Sequence, residues 1–339
     1  MAPPPHTLHS AKSLHEATSL WYPLIRSLGW NRSPFDGPTH YHAALDGKTW
    51  LLITPHNASS KPNSSKLDSA TGSGSISSDS KPQGCVVALP YPNGTGWIGF
   101  FIMNEAYRGQ GLGGALWRGM DTVWSSAETQ VVGLDGVEEQ VPTYTRRGFV
   151  DVGRIPVMAC SISAVAALNA QSEEVGNRIE AEGEVRDIKA ADRSELAALD
   201  LAHTGLDRRR YWITSDLLDR DDVFGYVHYT DARLTGLVLV RGCEAGHRIG
   251  PLFAPDAGVA THLLRLAMRH LSITSSEGSL AAEVFDANPE AKKVFKTLGW
   301  SGVGVEYHRM WKDGRAPDAQ QEGGLGTKSM FAIFDAGCG

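Results

Sequence analysis

The sequence lacks the features that mark a secreted, membrane-spanning or zinc-binding protein. Its cysteines lie far apart and include no C-x-x-C pair: Cys85, Cys160, Cys243 and Cys338. This spacing predicts neither a disulfide framework nor a metal site. No run approaches the roughly 18 apolar residues of a membrane span, and residues 1–12 lack the basic start and apolar core of a secretory signal. We therefore expect a cytoplasmic protein with no metal cofactor and no membrane partner.

The chain also lacks an excess of positive charge. It has 32 lysines and arginines against 38 aspartates and glutamates, which gives a formal net charge of −6. Such a chain has no overall basic field to attract a phosphate backbone, so we expect no nucleic-acid partner. Its composition does not indicate an oligomeric state.

What the chain does have is length. At 339 residues it exceeds the roughly 100 to 200 residues of one ordinary domain, which predicts two. Residues 57–83 are Ser-rich with almost no large apolar side chain, which predicts a flexible insertion. We expect a first domain over 1–165, a linker over 166–184 and a second domain over 185–339.

Hydrophobic periodicity predicts an α/β (α+β) order in both halves. In the first half it predicts helices over 13–28 and from Leu112, and strands over 47–54, 84–89, 97–103 and 130–134. In the second half it predicts a helix over 190–201 and strands over 185–188, 237–240 and 280–285. His40 and His42 alternate as on a strand, and we expect both at the surface rather than on a metal.

A glycine-rich loop, Arg108 to Gly114, stands where the predicted strand over 97–103 passes into the helix from Leu112. Glycines allow a phosphate to approach the backbone, and the free N–H groups at a helix start attract an anion. The spacing also satisfies the G-x-G-x-x-G fingerprint of Rossmann folds. That fingerprint follows the first strand of its domain, whereas this loop comes about 100 residues into the chain.

The pattern Met103-x-x-x-Tyr107-Arg108-x-x-Gly111-x-Gly113 resembles motif A of the GNAT acetyltransferases. The resemblance implies a mixed twisted sheet flanked by helices, and acetyl-CoA as co-substrate. It also implies that Met103 pairs through its backbone with the pantetheine arm, on the strand that carries Phe101. The residues it implies around the pyrophosphate are Arg108, Gly109, Gln110, Gly111, Leu112, Gly113 and Gly114.

Candidate catalytic residues follow from the same resemblance. Tyr144 precedes Gly148-Phe149 in a Tyr-x-x-x-Gly-Phe pattern, where this family places its general acid; a core aromatic is the alternative role. A base is needed to take a proton from the attacking amine. Asp135 is the first candidate and Glu105 the second, with a turn or capping role as the alternative for either and ordered water as the alternative base.

The second half resembles a degraded copy of the first. Gly258 falls where Gly111 stands, Pro255 replaces Arg108, and Phe295 takes the place of Tyr144. The arrangement resembles tandem GNAT proteins whose C-terminal domain is the degenerate acetyltransferase 18 type. A phenylalanine cannot donate a proton, so we expect catalysis in the first half.

These observations together predict an acyltransferase that moves an acetyl group from acetyl-CoA to a primary amine of a small molecule. Two alternatives stay open at this stage. One is a CoA-binding regulatory or scaffolding protein without turnover. The other is an NAD(P)-dependent oxidoreductase, which rests only on the glycine spacing.

Overall fold

The computed structural model describes residues 3–56, 81–163, 183–274 and 278–339. The predicted Ser-rich insertion and linker lie almost entirely outside these residues. Within the described part of the chain, thirteen strands form one continuous sheet that carries helices on both faces. The predicted α/β class, with a mixed sheet flanked by helices, is confirmed.

The described residues of the first half contribute six strands and four helices, and the predicted elements are all found. The strands are β1 His6–Ser10, β2 Trp50–Pro55, β3 Gly84–Pro90, β4 Thr95–Met103, β5 Val131–Val137 and β6 Phe149–Ser161. The helices are α1 Leu14–Ser27, α2 Asp36–Ala43, α3 Leu112–Ser126 and α4 Val141–Thr145. Helix α1 begins where the Ser13 side chain accepts a hydrogen bond from the Glu16 N–H, as an N-cap does.

The described residues of the second half contribute seven strands and four helices. The strands are β7 Glu184–Asp187, β8 Val223–Thr230, β9 Arg233–Gly242, β10 His247–Phe253, β11 Ser279–Glu283, β12 Ser301–Lys312 and β13 Met330–Ala332. The helices are α5 Arg193–Thr204, α6 Ala257–Thr274, α7 Ala291–Thr297 and α8 Gly326–Ser329.

The two halves exchange strands at the centre of the sheet. The strand order is β1-β2-β3-β4-β5-β12-β6-β11-β10-β9-β8-β7, with β13 paired to β10. Strand β12 of the second half therefore lies between β5 and β6 of the first, antiparallel to both. Strand β6 in turn pairs with β11 of the second half. Because this exchange joins the two sheets, the domain bounds of the sequence analysis stay a prediction.

One hydrophobic core also spans both halves. Alternate strand residues point to opposite faces, so Trp50 and Leu52 of β2 pack towards α1 and α2 while Leu51 packs towards α3. Leu237 and Leu239 of β9 belong to the same cluster as Trp50. The face that carries α1, α2 and α5 is thus covered by a single shared core.

The strand predicted for His40 and His42 is wrong, because both residues lie in helix α2, and the surface position predicted for His40 is also wrong. Positions i and i+2 of a helix do not share a face, so the two side chains differ in environment. His40 is fully buried, with Nδ1 2.9 Å from the Tyr211 hydroxyl of the second half. His42 is half-exposed, with Nδ1 2.9 Å from Asp46 Oδ1.

Candidate active site

Strands β4 and β5 run parallel and then separate. Their pairing covers Thr95 to Trp97 of β4 and ends at Gly133 of β5, although both strands continue beyond. Strand β4 also carries a bulge, seen as a register shift against β3 and a left-handed Phe100 with φ of 48°. Bulges bend a strand and re-aim its backbone groups. The result is a wedge-shaped opening between the two strands.

The glycine-rich loop lies at the wide end of this opening. Gly109 and Gly111 have φ of 74° and 82°, a region that side chains with a Cβ disfavour. Gly111 is the N-cap of α3, and no side chain of the described residues caps that helix start. The first N–H groups of α3 are therefore available to an anionic ligand, as the sequence analysis expects.

An outer cleft of about 870 Å³ extends from the loop. Most of the residues expected to hold the cofactor line it: Phe101, Met103, Arg108, Gly109, Gly111, Gly113 and Gly114. Gln110 and Leu112 are not among its lining residues. The Gln110 side chain donates to the Ala106 carbonyl at 2.9 Å, and Leu112 is buried in the core, so each can serve a ligand only through its backbone.

Three arginines, Arg118, Arg146 and Arg147, lie beside the loop and add positive charge to that of Arg108. Arg146 and Arg147 line the outer cleft, and Arg147 lies over the Trp117 ring at 4.8 Å. A Cβ on Gly114 would lie 3.7 Å from Arg118 Nη1. These three arginines were not among the predicted site residues, although the pair Arg146-Arg147 before Gly148 is visible in the sequence. Together with Arg108 they suit a ligand that carries several phosphates.

An inner chamber of about 80 Å³ adjoins the outer cleft. The two share Trp30, Phe101, Val137 and Gln140, so the chamber opens into the cleft. Its lining comes from both halves of the chain and includes Tyr144, Asp135 and Tyr307. The arrangement can hold two reactants, one in the cleft and one in the chamber.

Tyr144 stands in the chamber wall, on helix α4. Its half-buried ring lies 6.2 Å from the Trp117 ring and 6.3 Å from the Phe149 ring. Burial raises the pKa of Tyr144 to about 12. The hydroxyl therefore keeps its proton at neutral pH, as a proton donor must.

The two candidate bases lie in different surroundings. Asp135 lines the inner chamber with a fully buried side chain, and both its oxygens accept from Arg309 of β12 at 2.7 Å. Burial raises the pKa of Asp135, against the opposing charge of Arg309. Glu105 is exposed on the short turn Glu105–Tyr107, and it is not among the lining residues of the cleft or the chamber.

The second half supplies part of the chamber that the sequence did not reveal. Tyr307 comes from β12, and Ala336 and Gly337 come from the segment after β13. That segment is held by Trp97 Nε1, which donates to the Ala336 carbonyl at 2.9 Å, and by the ion pair between Asp335 and Arg32. These contacts span some 200 to 300 residues of sequence, so no local pattern signals them.

The corresponding opening in the second half is filled by the chain itself. Strands β10 and β11 pair in parallel at one end and then separate, and β13 pairs with β10 in the gap. The Phe285 N–H donates to the Phe331 carbonyl, and the Ile333 N–H donates to the Glu283 carbonyl. At the start of α6, Asp256 Oδ1 accepts from the Val259 N–H at 2.9 Å. A carboxylate thus stands where the first half leaves room for a phosphate.

No three histidine, cysteine, aspartate or glutamate side chains in the described part of the chain come together as metal ligands. None of the described helices is both long and apolar enough to cross a membrane.

Two family models match the chain. Residues 40–149 match the acetyltransferase (GNAT) family, and residues 196–323 match an acetyltransferase (GNAT) domain of the type numbered 18. The first match ends at Phe149, beside Tyr144, and the second covers Phe295. The resemblance of both halves in the sequence analysis is confirmed.

Known proteins share the sequence pattern or the fold of this chain. A holothin acyltransferase from a Pseudoalteromonas strain is 24% identical over 188 residues, which are 56% of this chain and 58% of the relative. This match therefore spans little more than half the length of that curated relative. A putative acetyltransferase from Pyrococcus horikoshii matches with a TM-score of 0.66 at 17% identity, over 98% of this chain and 96% of its own. A GCN5-related N-acetyltransferase from Sphaerobacter thermophilus matches with a TM-score of 0.56 at 12% identity, over 92% and 96%.

The structural neighbours share the fold, and the two family models cover β4, β5 and α3 beside the cleft and β10, β11 and α6 of the second half. The curated relative is named an acyltransferase. The chain belongs to the acetyltransferase (GNAT) family and carries two GNAT domains in tandem.

Proposed function

We propose that the protein transfers an acetyl group from acetyl-CoA to a primary amine of a small molecule. The observation that carries this proposal is the contrast between the halves. In the first, the cleft, the uncapped start of α3 and Tyr144 lie around one open wedge. In the second, β13 fills the wedge and Phe295 replaces the tyrosine.

The residues of the outer cleft fit acetyl-CoA. The left-handed Gly109 and Gly111 expose backbone to the cleft, and Arg108, Arg146 and Arg147 line it. These groups would hold the pyrophosphate and the further phosphate, while the unpaired side of β4 up to Met103 would bind the amide-containing arm. Bound acetyl-CoA would supply the thioester carbon that accepts the amine.

In the proposed reaction the amine nitrogen forms a bond to the acyl carbon and the carbon–sulfur bond breaks. The amine loses one proton and the departing sulfur gains one. We assign the donated proton to the Tyr144 hydroxyl. We propose Asp135 as the first candidate to accept the amine proton, because it is the carboxylate among the described residues of the chamber wall. Exposed Glu105 is the second candidate.

The setting of the reaction is also a proposal. All four cysteines are free thiols in the structure, which fits a reducing compartment such as the cytoplasm. The chemistry described above needs no metal ion. The chamber is a small recess of about 80 Å³ beside the outer cleft rather than a long surface groove, which favours a small-molecule acceptor over a nucleic acid.

Substitution of Gly111 by glutamate tests the cofactor site. The new side chain would place a negative charge at the N-terminus of α3, so we expect calorimetric titration to show no acetyl-CoA binding. Wild-type protein should bind one acetyl-CoA per chain, because β13 fills the second opening.

The matched control is Gly323→Glu. Gly323 has φ of 79° and open space around its Cβ position, and it does not line the cleft. The control carries the same backbone strain and charge and should bind acetyl-CoA normally. Binding by Gly111→Glu at wild-type affinity would remove the cofactor assignment.

A further inference from the structure

We propose that the acceptor is a weakly basic aromatic or heteroaromatic amine, which enters the inner chamber uncharged with the amine-bearing edge of its ring first. This inference rests on the proposed function and narrows it from amines in general to one chemical class. Three properties of the chamber support this inference. Aromatic side chains line it, its charged groups are paired, and both oxygens of Asp135 accept hydrogen bonds from Arg309.

Aromatic side chains form much of the chamber wall. Five rings line it: Trp30, Phe100, Phe101, Tyr144 and Tyr307. Its volume of about 80 Å³ is roughly half that of an apolar protein cavity, about 150 Å³, that binds benzene. Because it opens into the cleft, it can receive one edge of a flat ring. Aromatic rings prefer to contact other rings edge-to-face or offset, and this wall offers both edges and faces.

The charged groups in the wall are already paired with each other or with neighbours. Among the described lining residues, Arg32 is held by Asp335 and Asp135 by Arg309. The side chains of these pairs are at most 4% exposed. An alkylammonium group needs an unpaired carboxylate to replace its hydration, and a substrate carboxylate needs an unpaired cation. The chamber offers neither, so it favours an acceptor without formal charge.

Asp135 is a poor group for deprotonating an ammonium ion before attack. Both its oxygens accept from Arg309, and an alkylammonium such as that of lysine has a pKa of about 10.4. At pH 7 only roughly one such amine in 2,500 is neutral. An aromatic amine holds its lone pair in the ring system and is neutral already. It can attack directly, and its nitrogen becomes acidic enough for Asp135 or water to take the proton once the carbon–nitrogen bond forms.

Matched pairs of amines test the proposal through release of the CoA thiol. Aniline and 3-aminopyridine would be compared with cyclohexylamine and 3-aminopiperidine, which have similar ring size but strongly basic nitrogens. We expect kcat/KM at pH 7 to be at least tenfold higher for each aromatic amine. We also expect it to stay level from pH 6.5 to 9 for the aromatic amines.

Two other outcomes are informative. If the saturated amines match or exceed the aromatic ones at pH 7, the aromatic class is wrong while acetyl transfer stands. If no amine of either class releases thiol although acetyl-CoA binds, the proposed function falls together with this inference.

A substitution in the chamber wall tests recognition of the substrate ring separately from the basicity of the substrate amine. Tyr307→Leu removes one ring of the wall and leaves the cofactor cleft intact, so KM for aniline should rise about 2- to 10-fold with acetyl-CoA affinity unchanged. Calorimetric binding of aniline to the enzyme saturated with CoA should weaken by the same factor. Tyr22→Leu, on α1 and outside the chamber, is the control and should change neither. Unchanged aniline binding by a folded Tyr307→Leu protein would overturn the role of the aromatic wall.

Discussion

In the sequence alignment of the two halves Phe295 takes the place of Tyr144, and the two side chains differ by one hydroxyl group. Tyr144→Phe keeps the ring between Trp117 and Phe149, so we expect little change in stability or acetyl-CoA affinity. Loss of the proton donor should lower kcat about a hundredfold or more, as steady-state kinetics would show.

The reciprocal change serves as the control. Phe295 is fully buried, so Phe295→Tyr would add a hydroxyl to an apolar site and destabilise the fold by about 1 to 3 kcal/mol. It should not create activity, because β13 occupies the opening beside it. Turnover by Tyr144→Phe at the wild-type rate, with chemistry limiting, would assign Tyr144 to packing alone.

His40 makes the stability of the fold depend on pH. Burial lowers its pKa to about 3, although the nearby charge of Asp36 opposes that shift. The other groups that act on it are the Arg32, Arg241 and Arg220 guanidinium groups, and its Nδ1 lies beside the Tyr211 hydroxyl. Below pH 6.5 the unfolded chain binds a proton at His40 that the folded chain excludes until about pH 3. The stabilisation that comes from a neutral His40 is complete above pH 6.5. Below that value the unfolding free energy falls by about 1.4 kcal/mol per pH unit.

We therefore expect His40→Asn to flatten the fall in unfolding free energy between pH 6.5 and 4, measured by urea titration. Asparagine can keep a polar atom near the Tyr211 hydroxyl but does not titrate. The pKa of Asp36 is about 2, because the charges of Arg241 and Arg220 outweigh the effect of burial. Protonation of Asp36 therefore changes the unfolding free energy only below its ordinary pKa of 3.8, outside the pH range of this titration. An equal slope in wild type and His40→Asn would contradict the assignment.

At the scale of elements, the seam between β5 and β12 carries a buried ion pair. Arg309→Met would leave the Asp135 carboxylate buried without its partner, which costs about 3 to 5 kcal/mol. The double variant Asp135→Asn with Arg309→Met removes both charges and should recover much of that loss in urea titrations.

The same double variant separates structure from catalysis. If Asp135 takes the amine proton, the recovered fold should still turn over about a hundredfold more slowly than wild type. Wild-type turnover by the stable double variant would mean that Asp135 only ties β5 to β12 and that water accepts the proton.

The candidate residues that could be predicted from the sequence are those whose pattern lies within a few neighbouring positions. The loop from Arg108 to Gly114 and the Tyr144 pattern both follow this rule, since each depends on one strand, one turn and one helix. Tyr307, Arg32 and Gly337 could not be found in this way. Tyr307 reaches the chamber through strand exchange, Gly337 through the segment after β13, and Arg32 lies beside it in an ion pair with Asp335. All three depend on contacts between distant parts of the chain.

At the scale of the whole molecule, the exchange of β12 and β6 joins the two halves in one sheet. We therefore expect that neither half unfolds alone. The Trp97 and Trp311 rings, from different halves, lie 5.5 Å apart in the core. We expect urea unfolding to show a single transition, with tryptophan fluorescence and far-UV circular dichroism giving the same midpoint. Two separated transitions would show that the halves are independent folding units.

Strand β13 competes with any ligand for the opening in the second half. A segment tethered within the same chain acts at an effective concentration of the order of millimolar, whatever the concentration of the protein. A free ligand would have to displace it against that advantage and also replace its backbone hydrogen bonds to Glu283 and Phe285. Restoring an arginine and two glycines at the degraded loop would therefore not produce a second acetyl-CoA site. The opening would first have to lose its covalently attached occupant.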